Sequence, residues 1–199
     1  MVFSKKQKFY FFIKRLLDVV LSIIGILLCF VFIWIWVVPI NLIFTKGRPV
    51  FLAKRYGKNK EVFKMLKFRT MILETPLLPP DALSNEDRMK YETPFGKFLR
   101  KTSIDETPQL FNVLFGHMSL VGPRPGSVIN EENLSFAREN ISPSPFLVRP
   151  GITGLAQVQL KRKHNIKEKV SLDSIYVKNI SFFLDVKILF QTIKVILVK

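Results

Sequence analysis

VVLSIIGILLCFVFIWIWVVPINLIF, residues 19–44, is a run of 26 residues without a charge. As a straight helix it extends about 39 Å, against the roughly 30 Å of a bilayer's hydrocarbon core. It is too long for the apolar part of a signal peptide, and no small-residue cleavage site follows it. The rest of a 199-residue chain is too small to enclose it as a core helix. The run is therefore expected to insert into a membrane. Lys5, Lys6, Lys8, Lys14 and Arg15 precede it, and Lys46, Arg48, Lys54 and Arg55 follow it. A spanning helix usually shows a Lys/Arg bias toward one side. Basic residues on both flanks suit a segment that enters and returns, with a break at Pro39 and Asn41. A tilted span kinked at Pro39 is the second reading.

Composition agrees with a membrane setting. The chain has 31 Lys+Arg against 15 Asp+Glu, a net charge of +16. Such a balance favours nucleic acid, an anionic membrane surface or phosphate-rich small substrates. Yet 48% of the residues are hydrophobic and 19 are Phe, too apolar for a typical soluble nucleic-acid binder. The single cysteine, Cys29, can form no intrachain disulfide. One cysteine with His117 and His164 argues against a structural zinc site and leaves little for a histidine-based triad.

Beyond the apolar run, residues 50–53 and 62–66 read as strands of a β-hairpin turning at Gly57 and Asn59. TPLLPP (75–80) is a breaker, and 81–93 is a polar helix or loop. Residues 94–102 predict a short basic helix, 130–140 a helix, and 155–160 a short strand. Near the C-terminus, Lys187, Gln191 and Lys194 draw a polar stripe on an apolar helix. That helix either lies in the membrane interface or packs on the core.

The chemistry concentrates in RKTSIDETPQLFNVLFGHMSLVGPRP, residues 100–125. Asp105 and Glu106 are neighbouring acids in a strongly basic chain. Ser103 with Glu106 matches a capping box, while Thr107 with Pro108 is an equally good helix start. Either way both acids stand at a helix entrance, where a carboxylate anion is favoured. Lys67, Arg69, Arg100, Arg124 and Arg149 all flank breaks or turns rather than long solvated faces. A carboxylate pair among such cations suggests phosphoryl transfer. One acid could be a covalent nucleophile and the other could hold Mg²⁺, with arginines matching phosphate oxygens. No Gly-rich phosphate loop is present to support ATP as donor.

These stretches carry a resemblance. KFRTM (67–71), the 102–125 segment, RPGITG (149–154) and Tyr-Val-Lys-Asn (176–179), in this order, resemble the bacterial sugar transferase family, the monotopic polyprenyl-phosphate hexose-1-phosphate transferases. The likeness runs from Lys14-Arg15-Leu16-Leu17-Asp18 to the C-terminal helix. It implies transfer of a sugar-1-phosphate from a UDP-sugar to undecaprenyl phosphate, with release of UMP. It implies that Asp105 is the nucleophile and Glu106 the ligand of a Mg²⁺ cofactor. Arg69, Arg100 and Arg124 would contact phosphates, with Lys67 beside them, and Arg149 would lie near the nucleotide. The implied fold is α+β and mainly helical. A re-entrant membrane helix and basic N-terminus occupy 1–47. The catalytic domain, 48–199, contains the hairpin and interfacial amphipathic helices and lies on the cytoplasmic face of the bacterial inner membrane.

Three departures accompany the resemblance. The family often breaks its anchor at a Ser-Pro pair, where this chain has Val31-Phe32-Ile33. Leu155 stands where tryptophan is usual, and QLKRKHN (159–165) replaces an Asn-Gly-Arg-Asn-like segment. The resemblance therefore does not name the sugar. A non-enzymatic basic membrane protein that recruits nucleic acid would explain the charge and the anchor. It would not explain the acidic pair or the turn arginines, so nucleic acid is not an expected partner. Membrane lipids are expected partners, and a homodimer is left open.

Overall fold

The computed structural model describes residues 3–75, 85–129, 131–160 and 165–198. Residues 76–80 of the predicted breaker, 81–84, and 161–164 of QLKRKHN lie outside that description. The chain begins with α1 (Lys5–Cys29), capped by Ser4 and Gln7, whose side chains each bond the other's backbone N–H. A π-helical segment (Phe30–Trp34) joins α1 to α2 (Ile35–Thr45) without interruption. Pro39 sits inside α2 and does not end it, contrary to the expected break there. The irregularity lies instead at Val31-Phe32-Ile33, where Ile35 N–H reaches back five residues to the Phe30 carbonyl. Proline removes one backbone donor and crowds the carbonyl four residues back, yet the helix continues through it here.

The hairpin forms as expected, with β1 (Val50–Tyr56) antiparallel to β2 (Val62–Phe68). Asn59, not Gly57, adopts the left-handed backbone at its turn, with φ 54°. After α3 (Asn85–Tyr91) and α4 (Pro94–Thr102), a 3₁₀ turn (Ile104–Glu106) leads to α5 (Gln109–Leu114). Thr93 caps α4 through its hydroxyl, and Pro94 opens it. The capping box at Ser103 does not form. Ser103 is left-handed, closes α4 from behind, and makes no side-chain cap bond. Nor is Thr107 the cap, because its hydroxyl donates to the Ile104 carbonyl and Pro108 occupies that position. A left-handed cap ends one helix and redirects the chain sharply. The acids therefore ride on a tight turn rather than on a regular helix.

A second, parallel pair joins β3 (Ser119–Val121) to β4 (Gly151–Thr153). A Cβ on Gly151 would stand 2.1 Å from Gly122 N, so this approach requires glycine. The strand expected at 155–160 is a helix, α7 (Leu155–Gln159). No neighbouring strand pairs with it, and its backbone bonds locally, Val158 N–H to Gly154 O and Leu160 N–H to Ala156 O. Between these lie α6 (Glu132–Glu139) and, after α7, α8 (Ile166–Lys178).

The last helix, α9 (Phe182–Val198), buries Asp185 and Ile188 against the core. Thr192 shares a hydrogen bond with Thr153 of β4. On its outer side Phe183, Phe190 and Leu197 are exposed at 83%, 66% and 80%. Core packing and an uncovered apolar face thus coexist on one helix.

Asp185 ties three helices together. It accepts from Tyr10 Oη at 2.7 Å, Tyr176 Oη at 2.8 Å and the Lys14 ammonium, joining α1, α8 and α9. Asp185→Ala would strand a buried ammonium, and about 3–5 kcal/mol of stability should be lost. Tyr176→Phe should cost about 1–2 kcal/mol. Thermal unfolding in detergent checks both, and the order of the two losses is the critical result.

Candidate active site

β2, the 3₁₀ turn and the Gly-Pro turn after β3 converge on Glu106. Its Oε1 accepts from Lys67 Nζ at 2.9 Å and from Arg124 Nη2 at 2.6 Å. Its Oε2 accepts from Arg124 Nη1 at 3.3 Å, completing a two-toothed guanidinium–carboxylate pair. Burial alone would raise the Glu106 pKa. Arg124 and Lys67 outweigh it and hold the carboxyl well below the usual range. Lys67 is itself pushed down by burial, against the pull of Glu106.

Asp105 has a different environment. It is 8% exposed, and among the described residues its carboxylate has no hydrogen bond or ion pair. Burial raises its pKa above the ordinary value, Lys67, Arg100 and Arg124 oppose that rise, and Glu106 adds to it. The two adjacent acids are thus driven apart. Glu106 is fixed as an anion, and Asp105 is an unengaged carboxylate in a cationic field.

Other residues hold this arrangement. Arg138, buried against Asp173 at 2.7 Å, also donates to the Arg124 carbonyl at 2.8 Å. Asn112 of α5 bonds both Leu66 N–H and the Lys64 carbonyl, locking α5 to β2. Arg138, Asp173 and Asn112 were not legible as functional in the sequence, because isolated polar residues on helices give no signal of what they face.

Of the expected phosphate contacts, Lys67, Arg100 and Arg124 act on the acids. Arg100 is steadied by Thr70 Oγ1 at 2.8 Å and by Glu92 at 3.1 Å. Arg69 lies at the base of the hairpin, donating to the Arg48 carbonyl and resting over the Phe51 ring. Arg149 stands elsewhere, bonded to the Gly116 carbonyl just past the far end of α5. It lines a cavity of about 200 Å³ with Lys14, Arg15, Asp18 and Ser119. Arg69 and Arg149 are not among the charges that act on Asp105.

Mg²⁺ commonly takes one or two carboxylates with phosphate oxygens and water completing its shell. The adjacent carboxylates suit that demand, and Asp105 has the unengaged lone pairs. Glu106, the expected ligand, already has both oxygens on cations. Lys67 or Arg124 would have to move aside for it to bind metal.

A depressed Glu106 pKa stabilises the fold above the unfolded value near 4.5, and this contribution is lost as pH falls. Wild-type unfolding midpoints should therefore drop on acidification below about pH 4.5. Glu106→Gln should be less stable at neutral pH and lose less between pH 5 and 3, as followed by thermal melts. A variant with the wild-type slope would contradict the pairing.

The sequence pattern of the bacterial sugar transferases matches residues 9–199. Among similar proteins is a UDP-galactose-lipid carrier transferase of Erwinia amylovora, 39% identical over 94% of this chain and 40% of its own length. Another is the undecaprenyl-phosphate galactose phosphotransferase of Salmonella typhimurium, 34% identical over 94% of this chain and 40% of its own. A UDP-N-acetylgalactosamine-undecaprenyl-phosphate N-acetylgalactosaminephosphotransferase of Aeromonas hydrophila is 38% identical over 94% of this chain and 44% of its own. The chain spans less than half the length of these relatives. On the pattern that covers it almost from end to end, this chain belongs to the bacterial sugar transferase family.

Proposed function

We propose that the protein is a phosphoglycosyl transferase. It moves a sugar-1-phosphate from a UDP-sugar to undecaprenyl phosphate. In the first step an Asp105 carboxylate oxygen forms a bond to the β-phosphorus while the bridging P–O bond breaks and UMP leaves. In the second a phosphate oxygen of the lipid attacks the same phosphorus, and the bond to Asp105 breaks, restoring the carboxylate. Two easier displacements replace one difficult step. The observation that carries this reading is the unengaged Asp105 carboxylate held beside Lys67, Arg100 and Arg124. Those cations offset charge developing on the transferred phosphoryl oxygens. Glu106 holds Lys67 and Arg124 in place. A Mg²⁺ bound at the Asp105–Glu106 pair would supply further neutralisation of the diphosphate. The relatives' printed names support UDP-sugar and undecaprenyl phosphate as the substrate pair.

The long helix is proposed as the membrane element. Its outer face exposes Phe12, Leu27, Phe32, Trp36 and Ile43, each more than half exposed. Both ends touch the same folded body. Gln7 donates to the Lys178 carbonyl, and Asn41 to the Pro49 and Arg69 carbonyls. A hydrocarbon layer of about 30 Å cannot lie between two ends tied to one domain. That favours entry and return from the cytoplasmic face over a full span. The Phe183, Phe190 and Leu197 face of α9 would rest in the interface, with the excess positive charge toward anionic head groups.

Purified protein with a panel of UDP-sugars, undecaprenyl phosphate and Mg²⁺ should release UMP. Without lipid, release should stop near one equivalent. Asp105→Asn should reduce turnover at least about a thousandfold with folding intact. Wild-type turnover by that variant would remove the assignment. Because the Asp105 pKa is raised in the free protein, the acid limb of kcat/KM should lie above the ordinary aspartate range, with activity lost as pH falls through it.

Topology has its own test. Single cysteines at Lys6 and Lys46, in a Cys29→Ser background, should both resist an impermeant maleimide in spheroplasts. Both should react after permeabilisation. Labelling of one end alone in intact spheroplasts would establish a span.

A further inference from the structure

The long helix does more than expose an apolar face. Its domain-facing residues include Lys14, Asp18 and Ser22, and then Trp34, Val37, Asn41 and Thr45. A period of about 3.6 carried on from Ser22 would return to the domain near residues 33, 36–37, 40 and 44. The observed positions fall one residue later. Asn41 and Thr45 are fully buried, while Ile40 and Phe44 are 37% and 43% exposed. The π segment supplies the extra residue, as such segments do. Its last residue is Trp34.

Trp34 is 8% exposed and touches three parts of the candidate active site. Its ring meets Phe68, next in sequence to Lys67, edge-on at 6.2 Å, and Phe111 of α5 at 5.4 Å. Its Nε1 donates to Thr107 Oγ1 at 2.9 Å. That hydroxyl in turn donates to the Ile104 carbonyl at 2.9 Å, and Thr107 N–H bonds the same carbonyl at 3.1 Å. The Ile104 carbonyl begins the turn that bears Asp105 and Glu106. An uninterrupted α-helix would present Ile33, which has no donor, near this point.

We propose that Trp34 is a positioning residue for the acidic pair. Its indole N–H, brought into register by the π segment, holds Thr107 and through it the turn that aims Asp105. The helix that meets the membrane is thereby part of the catalytic framework. This rests on the reading of Asp105 as nucleophile. A nucleophile on a three-residue turn has few bonds of its own, so a small loss of restraint misplaces the attacking oxygen.

Trp34→Phe keeps the ring packing and removes the donor. Turnover should fall about five- to tenfold, with KM for the UDP-sugar within about twofold of wild type. Thr107→Val should show the same split. The double variant should be no worse than Thr107→Val, because both remove one relay. Inserting one alanine after exposed Val31 should reproduce the loss by turning Trp34 out of register, and thermal melts of all variants keep a folding defect visible. Unchanged kcat in Trp34→Phe, or losses that multiply in the double variant, would overturn the proposal. Asp105→Asn run alongside separates the two readings. If it stays active, the reading of Asp105 as nucleophile is wrong. If it is dead and Trp34→Phe is wild type, only the positioning role fails.

Discussion

The capture of Glu106 by Arg124 and Lys67 is the constraint on which the site depends. A carboxylate taken from water is costly unless it is paired, and here the pairing is two-toothed on one side and reinforced on the other. The pair also fixes three separate pieces of chain. Lys67 comes from β2, Glu106 from the 3₁₀ turn, and Arg124 from the turn after β3. Arg138, itself buried against Asp173, extends the chain of contacts into α6 and α8. What this network leaves out matters as much. Among the described residues Asp105 lies beside it without a hydrogen bond or ion pair, so the carboxylate proposed as nucleophile is surrounded by charge that is already held in place.

The same logic explains why one helix end is tied so firmly. Arg15 donates to the Val113 and Leu114 carbonyls, satisfying the C-terminal acceptors of α5. Asp18 accepts from Leu120 N–H of β3. Trp34 and Asn41 act at the opposite end, near the acids and the base of the hairpin. The apolar helix thus supplies polar contacts at intervals along one face and hydrocarbon along the other. On the proposed membrane placement two solvents are served by one element, and the π segment reconciles their spacing.

Much of this was readable from residue order. The hairpin strands and α4 followed from alternation and Pro94, all local signals. So did the gathering of Lys67, Arg100 and Arg124 near the acids, since each flanks a turn. What failed was non-local. Ser103 carries a capping signature, yet the tight junction with α4 forces it left-handed. Residues 155–160 alternate like a strand, but no free edge receives them. Arg149 looks equivalent to the other turn arginines, and only the position of Gly116 draws it away. Trp34 reads as another aromatic in an apolar run, because a period of 3.6 turns it outward from the domain.

The last of these failures explains the division of labour along the helix. On the proposed membrane placement the outer face needs only apolar side chains, so it can be varied without cost to the fold. The inner face cannot, because each polar atom there needs a partner in a dry setting. Asn41 meets most of that need, although its buried Oδ1 has no hydrogen-bond partner among the described residues. Both of its amide hydrogens are used, on Pro49 and Arg69, at 0% exposure. A one-residue slip would bury Ile40 in its place, turn the amide outward and take its donor from the Arg69 carbonyl, while the Pro49 carbonyl would keep the Arg69 N–H. The proposed membrane face and the proposed catalytic face are therefore coupled through register. A change that moves the helix by one residue alters both together, while a substitution confined to the outer face alters neither.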